Sequence, residues 1–271
     1  MICGTLLAFA SVCTFAEVLN IKKPDVDPTF EQVQKLIQAK DFNNAYKELE
    51  KLSKAGNSQA TYNLGYLTQT GQGTKQDNKK AVELYEQAAK SGYSIANYIL
   101  AQNYAAGGLG LTKSPEKALQ YLEKASEQGF DDATVELAIF EFAKGTDASN
   151  KLALAKLDPL IKKNNFAAIH AKALYDLSQG IQNRNTATVQ KGLKSIEQLA
   201  DQGYIPALIA VANMFVNGNL VNQNLPEAKK IFEELNKQNI PEAKEGLEVV
   251  NKLIEQQKKN PPKAAAPAKK P

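Results

Sequence analysis

Ser114-Pro115-Glu116-Lys117 sets a hydroxyl and an amine one helical turn apart, a spacing in which a lysine can activate a serine nucleophile. The same residues can start a helix, with Ser114 as its cap and Pro115 at the first helical position. The S-D-N and K-T-G segments that accompany catalytic S-x-x-K pairs are absent. Gly71-Gln72-Gly73 and Gly107-Gly108-Leu109-Gly110 have the glycine density of phosphate-cradling loops. Each follows a helical stretch, however, and neither runs into Gly-Lys-Ser/Thr. His170 is the only histidine, and Cys3 and Cys13 are the only cysteines. With the opening segment that holds both cysteines removed, no histidine–cysteine metal cluster or dyad can form within one molecule. Carboxylates are plentiful but lack ligand spacing such as the EF-hand calcium loop. These residues predict a protein that is not an enzyme and has no metal site and no cofactor.

The elements that would position any site repeat along the chain. From Gly71 to Gly92 the sequence reads GQGTKQDNKKAVELYEQAAKSG. A glycine turn leads to a cap at Asp77 or Asn78, then to an apolar face of Ala81, Leu84, Tyr85 and Ala88, and ends at a glycine stop. With Gly56, Gly92, Gly129, Asn165, Gly203 and Asn239 as anchors, the steps are 36, 37, 36, 38 and 36 residues. Four residues after the anchors stand Ala60, Ala96, Ala133, Ile169, Ala207 and Ala243, and eight after stand Leu64, Leu100, Leu137, Ala173, Val211 and Leu247. Four before stand Leu52, Ala88, Ala125, Ile161, Leu199 and Leu235. A single amphipathic helix cannot bury its stripe alone, so three aligned apolar columns predict helix–loop–helix units stacked on their neighbours.

The first two units, Gly56–Ser91 and Gly92–Gln128, resemble Sel1-like repeats, relatives of the tetratricopeptide repeat. The resemblance rests on Ala60, Leu64, Gly65, Gly71, Gly73, Asp77, Lys80, Ala81, Tyr85, Ala88, Ala89 and Gly92, and then on Ala96, Leu100, Ala101, Tyr104, Gly108, Gly110, Lys117, Ala118 and Ala125. Later units depart from it. Asn165 and Asn239 replace the glycine, the loop after Gly145 is shortened, and Asp158 and Pro159 break the second helix of the third unit. The resemblance implies an all-α solenoid of antiparallel helix pairs, a superhelix over residues 29–257. Its parts are a capping pair at 29–55, repeats at 56–91, 92–128, 129–164, 165–202 and 203–238, and a closing helix at 241–256.

The resemblance also implies that the first helix of each pair lines a concave face, at positions six, ten and thirteen after each anchor. These hold Tyr62, Tyr66 and Gln69; Tyr98 and Gln102; Val135, Ile139 and Phe142; Tyr175 and Ser178; Ile209 and Asn213. Tyrosines among amides and aliphatics suit an extended peptide or a partner helix, while the alternative is that some of them pack between repeats. Few charges fall in this groove, which favours an apolar ligand over an acidic or phosphorylated one. The implied function is a scaffold that binds a protein or peptide partner, in envelope assembly, host interaction or regulation of cell-wall enzymes. The alternative is a cell-wall-related enzyme such as a β-lactam hydrolase using Ser114.

The net charge of +4 does not make a nucleic-acid surface, because Lys258, Lys259, Lys263, Lys269 and Lys270 all follow the last acidic residue, Glu255. Without those five the remainder is near −1. Residues 1–16 carry no charged side chain, are too short to span a membrane, and read as a secretory signal with cleavage after Ala16 or at Ala8-Phe9-Ala10. A buried N-terminal helix is the alternative. The expected location is periplasmic or secreted, with residues 17–28 as an extended leader and Thr29 capping a first short helix. Residues 258–271 are a low-complexity Lys/Pro/Ala tail, expected to be disordered and to serve as a solvated end, a tether or a loose contact with an anionic surface.

Overall fold

The structure, a computed structural model, describes residues 28–259. The expected signal at 1–16, the leader up to residue 27 and the tail from residue 260 lie outside the described residues. Among the described residues there is no strand, and thirteen α-helices follow one another in packed pairs. They are α1 (Pro28–Gln38) and α2 (Phe42–Lys54), α3 (Ser58–Thr70) and α4 (Asn78–Lys90), α5 (Ser94–Ala106) and α6 (Pro115–Glu127), and α7 (Asp131–Ala143) and α8 (Asp147–Lys162). Next come α9 (Phe166–Gln182) and α10 (Thr186–Asp201), α11 (Ile205–Asn217) and α12 (Leu225–Lys237), and finally α13 (Pro241–Lys259). The expected all-α helix-pair architecture is what is observed. None of these helices is long and apolar enough to cross a membrane.

One backbone device sets the period. Gly56, Gly92, Gly129, Asn164, Gly203 and Asn239 all have positive φ and stand between one pair and the next. The amide of the residue after each donates five residues back, to the carbonyls of Leu52, Ala88, Ala125, Leu160, Leu199 and Leu235, at 3.0–3.2 Å. A left-handed residue with this back-bond satisfies orphan carbonyls at a helix end, and glycine and asparagine adopt that conformation most readily. The same bond closes the turns within the pairs at Lys40 and Arg184, where Asp41 donates to Leu36 and Asn185 to Gly180. A side-chain cap then opens many of the next helices: Asn57 accepts from the Ala60 amide, Asp77 from Lys80, Asn165 from Ala168 and Asn224 from Glu227.

Four expectations are corrected. The fourth anchor is Asn164, because Asn165 caps α9 with ordinary negative φ; Leu160 and Ala168 are buried in place of Ile161 and Ile169. Asp158 and Pro159 do not break α8, which continues to Lys162. Both are exposed, while Ala153, Leu157 and Leu160 on the other face are buried, and that burial offsets the lost backbone bond. The first helix starts at Pro28, a residue pre-set for a first turn, so Thr29 lies inside it. Lys258 and Lys259 belong to α13 rather than to the tail.

The chain divides into two compact units, one ending at Leu137 and one beginning at Ala138, within α7. In the first unit, Phe30 and Val33 of α1 and Ala45 and Leu49 of α2 pack with Ala60, Leu64 and Leu67 of α3. A second cluster holds Tyr85 and Ala88 of α4 against Ala96 and Leu100 of α5. Gly73 makes the join between α2 and the α3–α4 loop possible. Its φ is +73°, and a Cβ there would lie 2.1 Å from the carbonyl oxygen of Phe42. In the second unit the α9–α10 pair replaces the long loop with longer helices, which cross where Gly192 lets the carbonyl of Ala173 and the side chain of Leu177 come within contact distance.

Ala88 is fully buried where α4 packs against Ala96 and Leu100 of α5. Ala88→Leu is expected to overpack that contact and to cost about 1–3 kcal/mol. A lowered urea midpoint at constant slope is the predicted result; an unchanged midpoint means this is not a close helix contact.

Candidate partner-binding face

The first helices carry two adjacent positions with different duties. Six residues after the first four left-handed anchors stand Tyr62, Tyr98, Val135 and His170, and all four are buried. Three of them meet the aromatic ring that enters the next pair. Tyr62 packs on Tyr93 with ring centroids 5.2 Å apart, Tyr98 on Phe130 at 4.9 Å, and His170 edge-on to Tyr204 at 5.6 Å. Tyr62 and Tyr98, expected as groove anchors, are therefore packing residues between repeats, and His170 takes the same place. The physical reason is the ring that the next pair delivers onto this position, which buries it while the residue one turn further on stays half-buried.

Burial holds the Tyr93 hydroxyl up near 12 and pushes Tyr85 above the ordinary tyrosine range. Tyr85 keeps a partner inside by donating to Gln69 Oε1 at 2.6 Å, so Gln69 braces its own pair. Burial lowers the His170 imidazole to about 4, and its Nε2 has no hydrogen-bond partner.

What remains at the surface of the first unit lies one or more positions further on. Tyr66 is half-buried and packs against the α1–α3 cluster. Gln102 is half-buried and donates its amide to both oxygens of Glu136 on α7, at 3.1 Å to Oε1 and 3.0 Å to Oε2. The Tyr98 hydroxyl donates to Glu136 Oε1 at 2.5 Å. The structure thus brings Tyr98 and Gln102 together on a carboxylate that sequence reasoning missed, because Glu136 stands seven residues after its anchor rather than six or ten.

In the second unit, Phe142 and Tyr175 are brought together as a stacked pair, with centroids 4.2 Å apart and ring planes 14° from parallel. Asp176 beside Tyr175 pairs with Lys172 at 2.6 Å. Burial raises the Tyr175 hydroxyl, with Asp176 and Asp147 adding to the shift. Ile139 is 37% exposed, and Ser178 and Asn213 are exposed. Val135, counted with the groove, is buried in the first unit at 5%.

The other chemistry-bearing residues have structural duties. Ser114 caps α6 by accepting from the Lys117 amide at 3.3 Å, and the Lys117 ammonium lies 5.0 Å from the centroid of the Tyr104 ring. Gly71 ends α3 in the left-handed conformation, its amide donating to Leu67. Among the described residues, no group of three or more His, Cys, Asp or Glu is placed to hold a metal ion.

A sequence model of the Sel1 repeat matches residues 58–93, 94–130 and 205–239. The unmatched stretch between them contains two pairs whose internal loops are short. Among curated proteins, the chain is 26% identical over 212 residues to a chitin synthase regulator of Saccharomyces cerevisiae, covering 75% of this chain and 30% of that protein. It is 33% identical over 115 residues to an uncharacterized protein of Neisseria meningitidis serogroup B, covering 42% of this chain and 23% of that one. The chain thus spans less than a third of the length of these relatives. Of solved structures, a Sel1 repeat protein from Oxalobacter formigenes superposes with a TM-score of 0.61 at 20% identity, over 79% of this chain and 86% of that one. A protective antigen of uropathogenic Escherichia coli with the same repeat fold gives 0.59 at 20% identity, over 90% of this chain and 58% of that one. At that identity the likeness shows the fold, an α/α solenoid.

His170 generates a test of the packing column. Its folded pKa lies below the ordinary 6.5, so between about pH 6.5 and 4 the unfolded chain takes up a proton that the folded chain does not. Stability is complete above that window and falls through it, by about 1–3 kcal/mol from this group. His170→Gln is expected to flatten the fall in urea midpoint between pH 7 and 4; identical pH profiles would show that His170 is not held neutral.

Proposed function

We propose that this carrier of Sel1 repeats is a scaffold that binds a protein segment along the first helices of its N-terminal unit. The observation behind this reading is the division of labour on α3 and α5. Tyr62 and Tyr98 are consumed by packing, while Tyr66 and Gln102, one turn on, stay half-buried at the surface as an aromatic and an amide. Such a face offers rigid contact area with hydrogen bonds that set the register of an extended chain. The relative named as a chitin synthase regulator supports a regulatory role, in which the chain acts by holding another protein rather than by catalysis. The cap made by Ser114 accounts for the serine–lysine pair without a reaction. The uncharged run from Met1 to Ala16 supports export, and with it a partner in the cell envelope or outside the cell.

A photo-crosslinking residue at position 66 in the native host is expected to trap a discrete partner, while the same residue at the exposed Glu83 on α4 does not. Against that partner, Tyr66→Ala should weaken binding by about 1–3 kcal/mol per folded molecule. Normal binding by the folded fraction would remove the face assignment. Export is checked by N-terminal sequencing of the protein from its host, with a start near Glu17 expected and an intact Met1–Ala16 contradicting it.

A further inference from the structure

Glu136 is a half-buried carboxylate at the α5–α7 step, held by two neutral donors. Tyr98 and Gln102 both donate to it and fix the orientation of its two oxygens. Among the described residues no lysine or arginine pairs with it; the groups that act on it are burial, Tyr98, Gln102 and Asp132 one turn earlier. Burial is the larger influence and raises its carboxyl, with Asp132 adding to the rise. Two other half-buried carboxylates carry a cation. Glu141 and Asp176, whose side chains are each 14% exposed, are paired with Lys144 at 2.7 Å and Lys172 at 2.6 Å. Glu136 is gripped in the same manner but lacks the cation. Its two oxygens take three hydrogen bonds, leaving acceptor capacity on Oε2, which takes only one of them.

We infer that Glu136 is the docking point for a lysine or arginine side chain of the bound segment, with Tyr98 and Gln102 as positioning residues that fix its carboxylate. This rests on the peptide-binding reading of the first-helix face. The occupant is an extended peptide with a cationic side chain set among apolar ones. Tyr98 joins the two duties, since its ring packs on Phe130 and its hydroxyl orients the carboxylate. A partly desolvated carboxylate that is fixed in place rewards a bidentate guanidinium or an ammonium more than a solvated one does.

The test uses the whole chain and a displayed library of random extended peptides. Wild-type protein is expected to enrich peptides with lysine or arginine at one fixed position. Glu136→Gln, which keeps both donors supplied with an acceptor, should lose that preference. It should also bind a chosen basic peptide at least tenfold more weakly, with an unchanged urea midpoint. The wild-type affinity should fall with added salt and that of Glu136→Gln should not. Peptides that depend on Tyr66 but show no basic preference, or a preference that survives Glu136→Gln, overturn the cationic docking point and leave the face reading standing. Enrichment of no peptide counts against both.

Discussion

A helix pair of this kind cannot bury its own stripe, and the contact that lets it borrow a neighbour is made at one corner. The second helix ends on a left-handed residue, and the next amide folds back onto the carbonyl five residues earlier. That bond fixes where the following side chain goes. Where it is Tyr93, Phe130 or Tyr204, its ring lands on the residue six past the previous anchor, namely Tyr62, Tyr98 or His170. The corner therefore does two things at once: it satisfies a helix end, and it delivers an aromatic group into the step between pairs.

Much of this was legible in the sequence because the left-handed conformation restricts composition. Four of the six anchors are glycine and two asparagine, and the apolar columns four and eight residues on repeat with them. The register slipped at Asn164-Asn165, where two residues suited to a turn stand side by side and only the geometry shows which is left-handed and which caps the helix. Lys40 and Arg184 were not legible as turn residues at all, since neither residue type favours the left-handed conformation it adopts. Pro159 misled for the opposite reason, its cost being met by burial on the far side of α8.

The candidate face was less legible than the fold. A helix presents a new direction with every residue, so a groove drawn from position counts alone mixes neighbours that face different ways. Tyr62 and Tyr98 satisfy the apolar criterion for a groove equally well as for a core, and the deciding fact is the ring that arrives from the next pair. Glu136 was invisible for a related reason. A glutamate on a helix is ordinary until two donors from the preceding pair are seen to close on it. On the first helices of the first unit, packing claims Tyr62 and Tyr98, while Tyr66, Gln102 and Glu136 stay half-buried.

The ring step must carry the stack for Tyr62 to belong to packing rather than to the face. The most direct measurement is a double-mutant cycle in urea on Tyr62→Ala and Tyr93→Ala, a pair whose ring centroids lie 5.2 Å apart. If the step holds neighbouring pairs together, each truncation lowers stability and the double variant loses less than the sum of the two, by a coupling of about 0.5–1.5 kcal/mol. Strictly additive losses, or a Tyr62→Ala variant as stable as wild type, would contradict the account and return Tyr62 to the groove.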